Sequence, residues 1–193
     1  MVVVFGGAFN PPTLAHKEIY NLIDKVVGFD HFIFLPVSNK YNKSTLIADQ
    51  YRIDMLEILV QELPKASISL LEIDDQNYLG TYESLKRLSE MYPDEEVAFI
   101  IGSDNLVNIK RWINAEALIK EFKFIVINRN RLDGAKIIEN DQMLNQYKDN
   151  FQIVAGFKQY ISSSAFRDSL DPFYVTDEIY QYIMKNDLYR GNK

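Results

Sequence analysis

The segment VVVFGGAFNPPTLAH, residues 2–16, decides the fold of this chain. It opens with a β-branched and aromatic run at 2–5, which is typical of a buried strand. The two glycines that follow allow the backbone to approach a ligand closely, while Pro11 and Pro12 stiffen the turn and delay the next helix. From Leu14 on, apolar residues recur at helical spacing. The segment therefore predicts a strand, a tight turn and a helix start whose free N–H groups suit a phosphate.

The rest of the chain continues this alternation of strands and helices. Apolar runs predict five further strands, at 31–35, 67–73, 97–101, 124–127 and 151–154. Helical periodicity predicts helices at 49–62, 81–92, 115–121, 162–168 and 176–184, with Thr81 and Thr176 as N-caps, whereas 128–150 shows no clear period. Such alternation predicts an α/β fold in a single domain over 1–193, with a doubly wound parallel sheet between helices. Its ligands are expected at the carboxyl ends of the strands, near the topological switch point.

Composition excludes several classes of protein. The chain has 193 residues, of which 47% are hydrophobic and 25% charged, as is usual for a soluble globular protein. No apolar run approaches the roughly 20 residues that span a bilayer, and the first residues lack the basic segment of a signal peptide. There is no cysteine, which excludes disulfides and thiolate metal sites, and we expect a cytoplasmic protein. The net charge of −6 argues against a broad nucleic-acid surface but not against a small anionic ligand.

Four motifs follow one another along the chain. They are GAFNPPTLAH at 7–16, IGSDN at 101–105 with Trp112 downstream, ISSSAFR at 161–167 and NDLY at 186–189. The first is neither a dinucleotide fingerprint nor a Walker loop. It is similar to the (H/T)xGH signature of the nucleotidylyltransferase superfamily. In this order the four motifs resemble the bacterial nicotinate-nucleotide adenylyltransferase family over nearly the whole chain.

The resemblance implies a Rossmann-like nucleotidylyltransferase fold and a reaction between two phosphates. In that family the phosphate of nicotinate mononucleotide attacks the α-phosphorus of ATP, giving deamido-NAD and pyrophosphate in NAD biosynthesis. No enzyme nucleophile is required, because the enzyme positions two anions and stabilises the charge that develops. Mg²⁺ would be bound through ATP, without a metal site made by the protein. The implied partners are ATP and the mononucleotide, not nucleic acid or a membrane, and a homo-oligomer is left open.

The resemblance also assigns roles to individual residues. His16 would donate a hydrogen bond to the ATP phosphates, Asp104 would accept from the ATP ribose, and Trp112 would stack on the pyridine ring. The implied catalytic residues are His16, Lys43 and Arg167. The implied ATP-binding residues are Gly7, Ala8, Phe9, Thr13, His16, Gly102, Asp104, Ser163, Ser164 and Arg167. The implied acceptor-binding residues are Asn10, Thr81 and Trp112.

The chain departs from the family pattern mainly on the acceptor side. Thr13 stands where the family more often has histidine, and the pantetheine-phosphate relatives have threonine there. The sequence KYNK at 40–43 replaces a PPHK-like stretch and keeps only its lysine, and Gly80 replaces a tyrosine. Three alternatives stay open: phosphopantetheine as the acceptor, CTP as the donor, or a catalytically silent nucleotide-binding protein. Two arginines are also of interest, because Arg52 matches a family arginine and Arg129 follows the fifth strand at the ligand edge.

Overall fold

A computed structural model describes residues 1–40, 46–129, 131–157 and 161–190. The strands are β1 Val2–Gly7, β2 His31–Pro36, β3 Ala66–Ile68, β4 Val97–Gly102, β5 Lys123–Ile127 and β6 Phe151–Val154. The helices are α1 Leu14–Val26, α2 Asp49–Val60, α3 Leu71–Asp74, α4 Thr81–Met91, α5 Ser103–Leu106, α6 Ala115–Glu121, α7 Gly134–Glu139, α8 Gln142–Gln146, α9 Ser163–Ser169 and α10 Asp177–Lys185. Within these ranges, no helix has both the length and the apolar character that crossing a membrane requires.

The six strands form one all-parallel sheet in the order β3-β2-β1-β4-β5-β6. This order reverses direction between β1 and β4, so the loops that follow these two strands diverge and leave a crevice at the carboxyl edge. Phe5 pairs with Ile100. Carried forward by two residues, that register sets Gly7 opposite Gly102. The first and second glycine-containing motifs are therefore neighbours across the switch point.

Helices cover both faces of the sheet, because successive residues of each buried strand point to opposite sides. Val3 and Phe32 belong to the core that packs on α1, α2, α9 and α10. Val4 and Ile33 belong to the opposite core, which packs on α4, α5, α6, α7 and α8. The predicted doubly wound α/β fold is confirmed.

Residues 67–73, predicted as one strand, form two different elements. β3 ends at Ile68, and the backbone turns into the short helix α3 from Leu71. The prediction was wrong because β3 is an edge strand that pairs with β2 alone, over three residues. A ladder that short does not hold the following residues extended. The turn brings Glu72 into the interior, where it is 3% exposed.

The predicted N-caps had different outcomes. Thr176 caps α10 as predicted, since its hydroxyl accepts a hydrogen bond from the Ile179 N–H at 3.3 Å. Thr81 is instead the first helical residue of α4, and Gly80 occupies the cap position. The unassigned stretch 128–150 contains two short helices, each capped by an aspartate, Asp133 or Asp141. Aspartate favours this position because its carboxylate accepts the free N–H groups of a first turn.

Candidate active site at the switch point

His16 lies in the first turn of α1, and its imidazole is held in one orientation. Its Nδ1 lies 2.8 Å from the backbone N of Thr13 and 2.9 Å from the hydroxyl of Thr13. A backbone N–H can only donate, so Nδ1 is the acceptor and the neutral ring carries its proton on Nε2. Thr13 is 1% exposed. Thr13 thus orients His16 in this structure. The predicted contact of Thr13 with ATP stays a prediction.

The imidazole of His16 is neutral at pH 7. Burial lowers its pKa from 6.5 to about 4, and the positive charge of Arg129 acts in the same direction. The ring also packs against two aromatic side chains, with centroid separations of 5.1 Å to Phe9 and 5.7 Å to Phe5. His16 is therefore suited to donate a hydrogen bond from Nε2–H rather than to supply a charge or a proton.

Helix α9 holds the loop between β1 and α1. The Ser163 hydroxyl donates to the Pro11 carbonyl at 2.8 Å, and Arg167 Nη1 donates to the Asn10 carbonyl at 2.6 Å. Arg167 Nη2 also donates to the hydroxyl of Ser164 at 3.2 Å. The structure therefore brings the third motif against the first, as predicted. Its direct contacts are with the loop itself, and contacts with phosphate stay predictions.

Asn10 is buried within this assembly, with 1% of its surface exposed. Its side-chain oxygen accepts from the hydroxyl of Tyr189 at 2.9 Å, in the fourth motif. Burial raises the pKa of the Tyr189 hydroxyl, which keeps it protonated as a donor. The structure gives Asn10 a role in tying the chain end to the first loop, and its predicted contact with the acceptor stays a prediction.

The turn after β4 is closely packed at its start. A Cβ on Gly102 would overlap the Asp104 carboxylate and lie 2.6 Å from Cδ of Arg129. Arg129 Nε is 3.7 Å from Asp104 Oδ1. The Ser103 hydroxyl fixes the Arg129 backbone, because it accepts from the Arg129 N–H at 2.8 Å and donates to its carbonyl at 3.2 Å. This turn brings a carboxylate and a guanidinium to the ligand edge.

A cleft of about 310 Å³ opens between β1, β4 and the start of α4. Gly6 and Gly7 form part of its wall, together with Thr81 and Trp112. The indole of Trp112 is half-buried and stands edge-on to the ring of Phe99, with centroids 6.2 Å apart and an interplanar angle of 83°. The structure thus brings together the predicted acceptor residues Thr81 and Trp112, beside the loop that leads to His16.

The start of α4 has no side-chain cap and borders this cleft. Its cap position is Gly80, with φ of +90°, a conformation that favours glycine. A Cβ there would also lie 2.8 Å from Cβ of Ile113. The first N–H groups of a helix attract anions when no side chain satisfies them. Thr81 stands at this start, and its hydroxyl lies 3.4 Å from that of Tyr78.

Comparison with known proteins identifies the family. The cytidylyltransferase-like family model matches residues 4–169. A probable nicotinate-nucleotide adenylyltransferase of Acholeplasma laidlawii is 31% identical over 196 residues, covering 100% of both chains. One from Carboxydothermus hydrogenoformans is 30% identical and covers 97% of this chain and 96% of its own.

This chain belongs to the cytidylyltransferase-like family, among its nicotinate-nucleotide adenylyltransferases. The fold agrees with that assignment. The Plasmodium falciparum nicotinic acid mononucleotide adenylyltransferase complexed with NaAD has a TM-score of 0.79 and 24% sequence identity, over 99% of this chain and 98% of that one. The predicted family resemblance is confirmed, and the chain is a nucleotidyltransferase.

One predicted catalytic residue of this adenylyltransferase, Lys43, lies outside the described residues. The neighbouring Lys40 is described, and its side chain is turned to backbone carbonyls rather than to the loop after β1. Lys40 Nζ donates to the carbonyls of Ile73 at 3.2 Å and Asp75 at 3.4 Å. Lys40 thereby joins the segment after β2 to the end of α3.

Sequence reasoning missed one buried charged residue of this adenylyltransferase, Glu72, and the contacts of another, Arg52. Glu72 lines the cleft and accepts from the Ser84 hydroxyl at 3.0 Å. The signal was obscured because Glu72 lay in a predicted strand, where a charge is expected to face solvent. Arg52 is 0% exposed although it stands in the first turn of α2. Its match to a family arginine was visible in the sequence, but its contacts with the carbonyls of Ala8 and Val37 were not, since these lie on two other loops.

Proposed function

We propose that this adenylyltransferase transfers AMP from ATP to the phosphate of nicotinate mononucleotide, forming deamido-NAD and pyrophosphate for NAD biosynthesis. One observation carries the proposal. Gly7, which leads into the loop that orients His16 Nε2–H, lines the same cleft as Trp112 and Thr81 at the uncapped start of α4. The first feature suits a phosphate, and the second suits an aromatic ring that bears a carboxylate.

The chemistry requires no covalent intermediate on the protein. An oxygen of the mononucleotide phosphate forms a bond to the α-phosphorus of ATP. The bond from that phosphorus to the bridging oxygen breaks, and its electron pair leaves with pyrophosphate. His16 would stabilise the developing charge through a neutral N–H donor, and Arg167 and Lys43 would supply positive charge. Asp104 would hold the ribose of ATP.

The start of α4 supports nicotinate over nicotinamide as the acceptor base. A carboxylate can accept hydrogen bonds from the free N–H groups of a first turn and is favoured by the helix dipole, whereas an amide carries no charge for that dipole to stabilise. Trp112 offers an aromatic surface at the other side of the cleft, and stacking on a base is insensitive to what the ring carries. Charge recognition at α4 therefore sets the choice between the two acceptors.

Mg²⁺ would enter this reaction bound to ATP. Among the described residues no group of three or more histidine, cysteine, aspartate or glutamate side chains could hold a metal ion. Mg²⁺ in phosphoryl-transfer sites commonly keeps its waters and binds through substrate phosphates, with few protein ligands. This donor set fits a cation carried by the nucleotide, which would screen the charge of the β- and γ-phosphates. We further propose that the enzyme acts in the cytoplasm.

The test is pyrophosphate release by the purified protein with MgATP and one acceptor at a time. Nicotinate mononucleotide should give rapid release, and nicotinamide mononucleotide, which differs only in its amide, should give much less. Phosphopantetheine with MgATP, and nicotinate mononucleotide with MgCTP, test the other acceptor and the other donor. Release only with phosphopantetheine would replace our acceptor, and release only with MgCTP would replace our donor. No release in any arm would contradict the enzymatic function.

A further inference from the structure

Arg52 is a fully buried guanidinium that the proposed reaction does not use directly. It is 0% exposed and is among the largest fully buried side chains of the described residues. Burying an arginine is costly unless its charge is paired and its N–H groups find acceptors. The acceptors that Arg52 has found therefore indicate what the residue does.

Those acceptors lie on the loops after two adjacent strands. Nη1 donates to the carbonyl of Ala8 at 2.6 Å, just after β1. Nη2 donates to the carbonyl of Val37, just after β2, and to the carboxylate of Asp49. Asp49 in turn accepts from the Asn39 N–H at 2.8 Å. One side chain thus ties the loop after β1 to the described residues that follow β2.

The bond to Ala8 fixes the direction of the next N–H group. In a planar trans peptide the carbonyl and the following N–H point in opposite directions. With the Ala8 carbonyl turned to Arg52, the N–H of Phe9 points away from α2. Among the residues that the structure describes, this N–H makes no hydrogen bond. It is a donor with a fixed direction at the edge where phosphates are expected.

The backbone at Phe9 needs such support. Its φ of +44° lies in the left-handed region, which is unfavourable for a residue with a side chain. Phe9 is 1% exposed, and its ring packs against Phe5 and Phe34, with centroids 5.6 and 5.5 Å away. Ring burial anchors the side chain, and Arg52 anchors the preceding carbonyl. Strained conformations of this kind persist where the surroundings over-determine them, often at functional sites.

We propose that Arg52 is a positioning residue that presets the Phe9 N–H as a hydrogen-bond donor to the phosphates of ATP. The proposal rests on the proposed function for the identity of the anion. It predicts that removing the planar guanidinium of Arg52 weakens nucleotide binding and lowers turnover. The loss should remain when both values are expressed per amount of folded protein. Preorganised backbone donors stabilise phosphate charge because they need no rearrangement when that charge develops.

Arg52→Lys tests this, since lysine keeps the charge but presents no planar fork to three acceptors. We expect the affinity for a non-hydrolysable ATP analogue with Mg²⁺ to fall at least tenfold by calorimetry, and kcat to fall at least tenfold. Tyr182→Phe is the matched control, because the Tyr182 hydroxyl bonds to Asp54 on the same helix, α2, without touching the network. It should change both values less than twofold. Equal losses in the two variants, or a loss below twofold in Arg52→Lys, would overturn the proposal.

Two further measurements keep the proposal testable if Arg52→Lys folds poorly. Added guanidinium at non-denaturing concentration should restore analogue binding to Arg52→Ala but leave Tyr182→Phe unaffected. In the wild-type protein, the amide resonance of Phe9 should shift downfield and gain exchange protection when the analogue binds. An unchanged Phe9 amide in a saturated complex would overturn the proposal. Because these readouts measure binding, they remain informative if no acceptor supports turnover, which would contradict the proposed function instead.

Discussion

The two sides of the crevice are built differently. On the nucleotide side, buried or half-buried side chains from α2 and α9 fix the carbonyls of Ala8, Asn10 and Pro11. On the acceptor side, the cleft is lined by side chains of mixed exposure, from Glu72 at 3% and Thr81 at 6% to Tyr78 at 40%. A backbone that is already fixed suits phosphates, because its donors can stabilise the charge that develops in the reaction without first rearranging. Accessible side chains suit a base, whose recognition depends on contact area.

This contrast agrees with where the chain departs from its family. The nucleotide side keeps the histidine, serine and arginine of the motifs, and its Thr13 has a buried role in orienting His16. On the acceptor side Gly80 is required by its own backbone conformation and by the neighbouring Ile113. The departures therefore lie mainly where the proposed acceptor would bind, and the residues of the proposed phosphate contacts are kept.

The largest effect is expected from His16→Ala. Removal of one preorganised donor to developing charge costs about 10²- to 10³-fold in kcat, about 2.7–4 kcal/mol. Pyrophosphate release at saturating MgATP and nicotinate mononucleotide measures it, with His31→Ala as the control at a histidine outside the site. A loss of threefold or less in a folded His16→Ala protein would remove His16 from the phosphate chemistry.

Acid should lower the stability of the folded protein through His16, on the nucleotide side of the crevice. Because the folded state lowers the pKa of His16 from 6.5 to about 4, the unfolded chain binds a proton more readily between these values. Stability that is complete above pH 6.5 is then lost as the pH falls towards 4, by about 2–3 kcal/mol. Urea unfolding at a series of pH values measures it, and His16→Gln should lack this component. Parallel curves for the two proteins would contradict the lowered pKa.

Trp112→Ala should weaken binding of the acceptor and leave binding of ATP nearly unchanged. Stacking on a base contributes about 1–3 kcal/mol, so KM for nicotinate mononucleotide should rise about tenfold or more. KM for ATP should change less than twofold, and Trp112→Phe should recover part of the loss because it keeps an aromatic face. Initial-rate kinetics with each substrate varied in turn measures the split. Equal increases for both substrates would show that the indole supports the fold rather than the acceptor.

Gly102→Ala should have the smallest effect, confined to the nucleotide side. The added Cβ displaces the Asp104 carboxylate and the Arg129 side chain, which are long or terminal groups that can move. We expect KM for ATP to rise about threefold, since such a local adjustment costs roughly 0.5–1 kcal/mol. KM for the acceptor should stay constant. A rise in KM for the acceptor alone would assign this turn to the acceptor side and contradict the comparison.

The sequence by itself determined the elements and their order. Continuous apolar runs gave β1 and β4, and alternation with helical periods gave the doubly wound sheet. These features are local, because burial leaves a periodic pattern in the residues of one element. Patterns failed at 67–73, where a weakly paired edge strand gives way to a turn of helix.

Only the tertiary structure decided how the motifs act on one another. Ser163 and Arg167 bind carbonyls more than 150 positions earlier in the chain, and Arg52 binds the first loop from another helix. The same packing gives His16 its tautomer and its lowered pKa. No sequence pattern contains this information, because a hydrogen bond depends on the distance and direction between two groups. Those are set by the packing of whole elements.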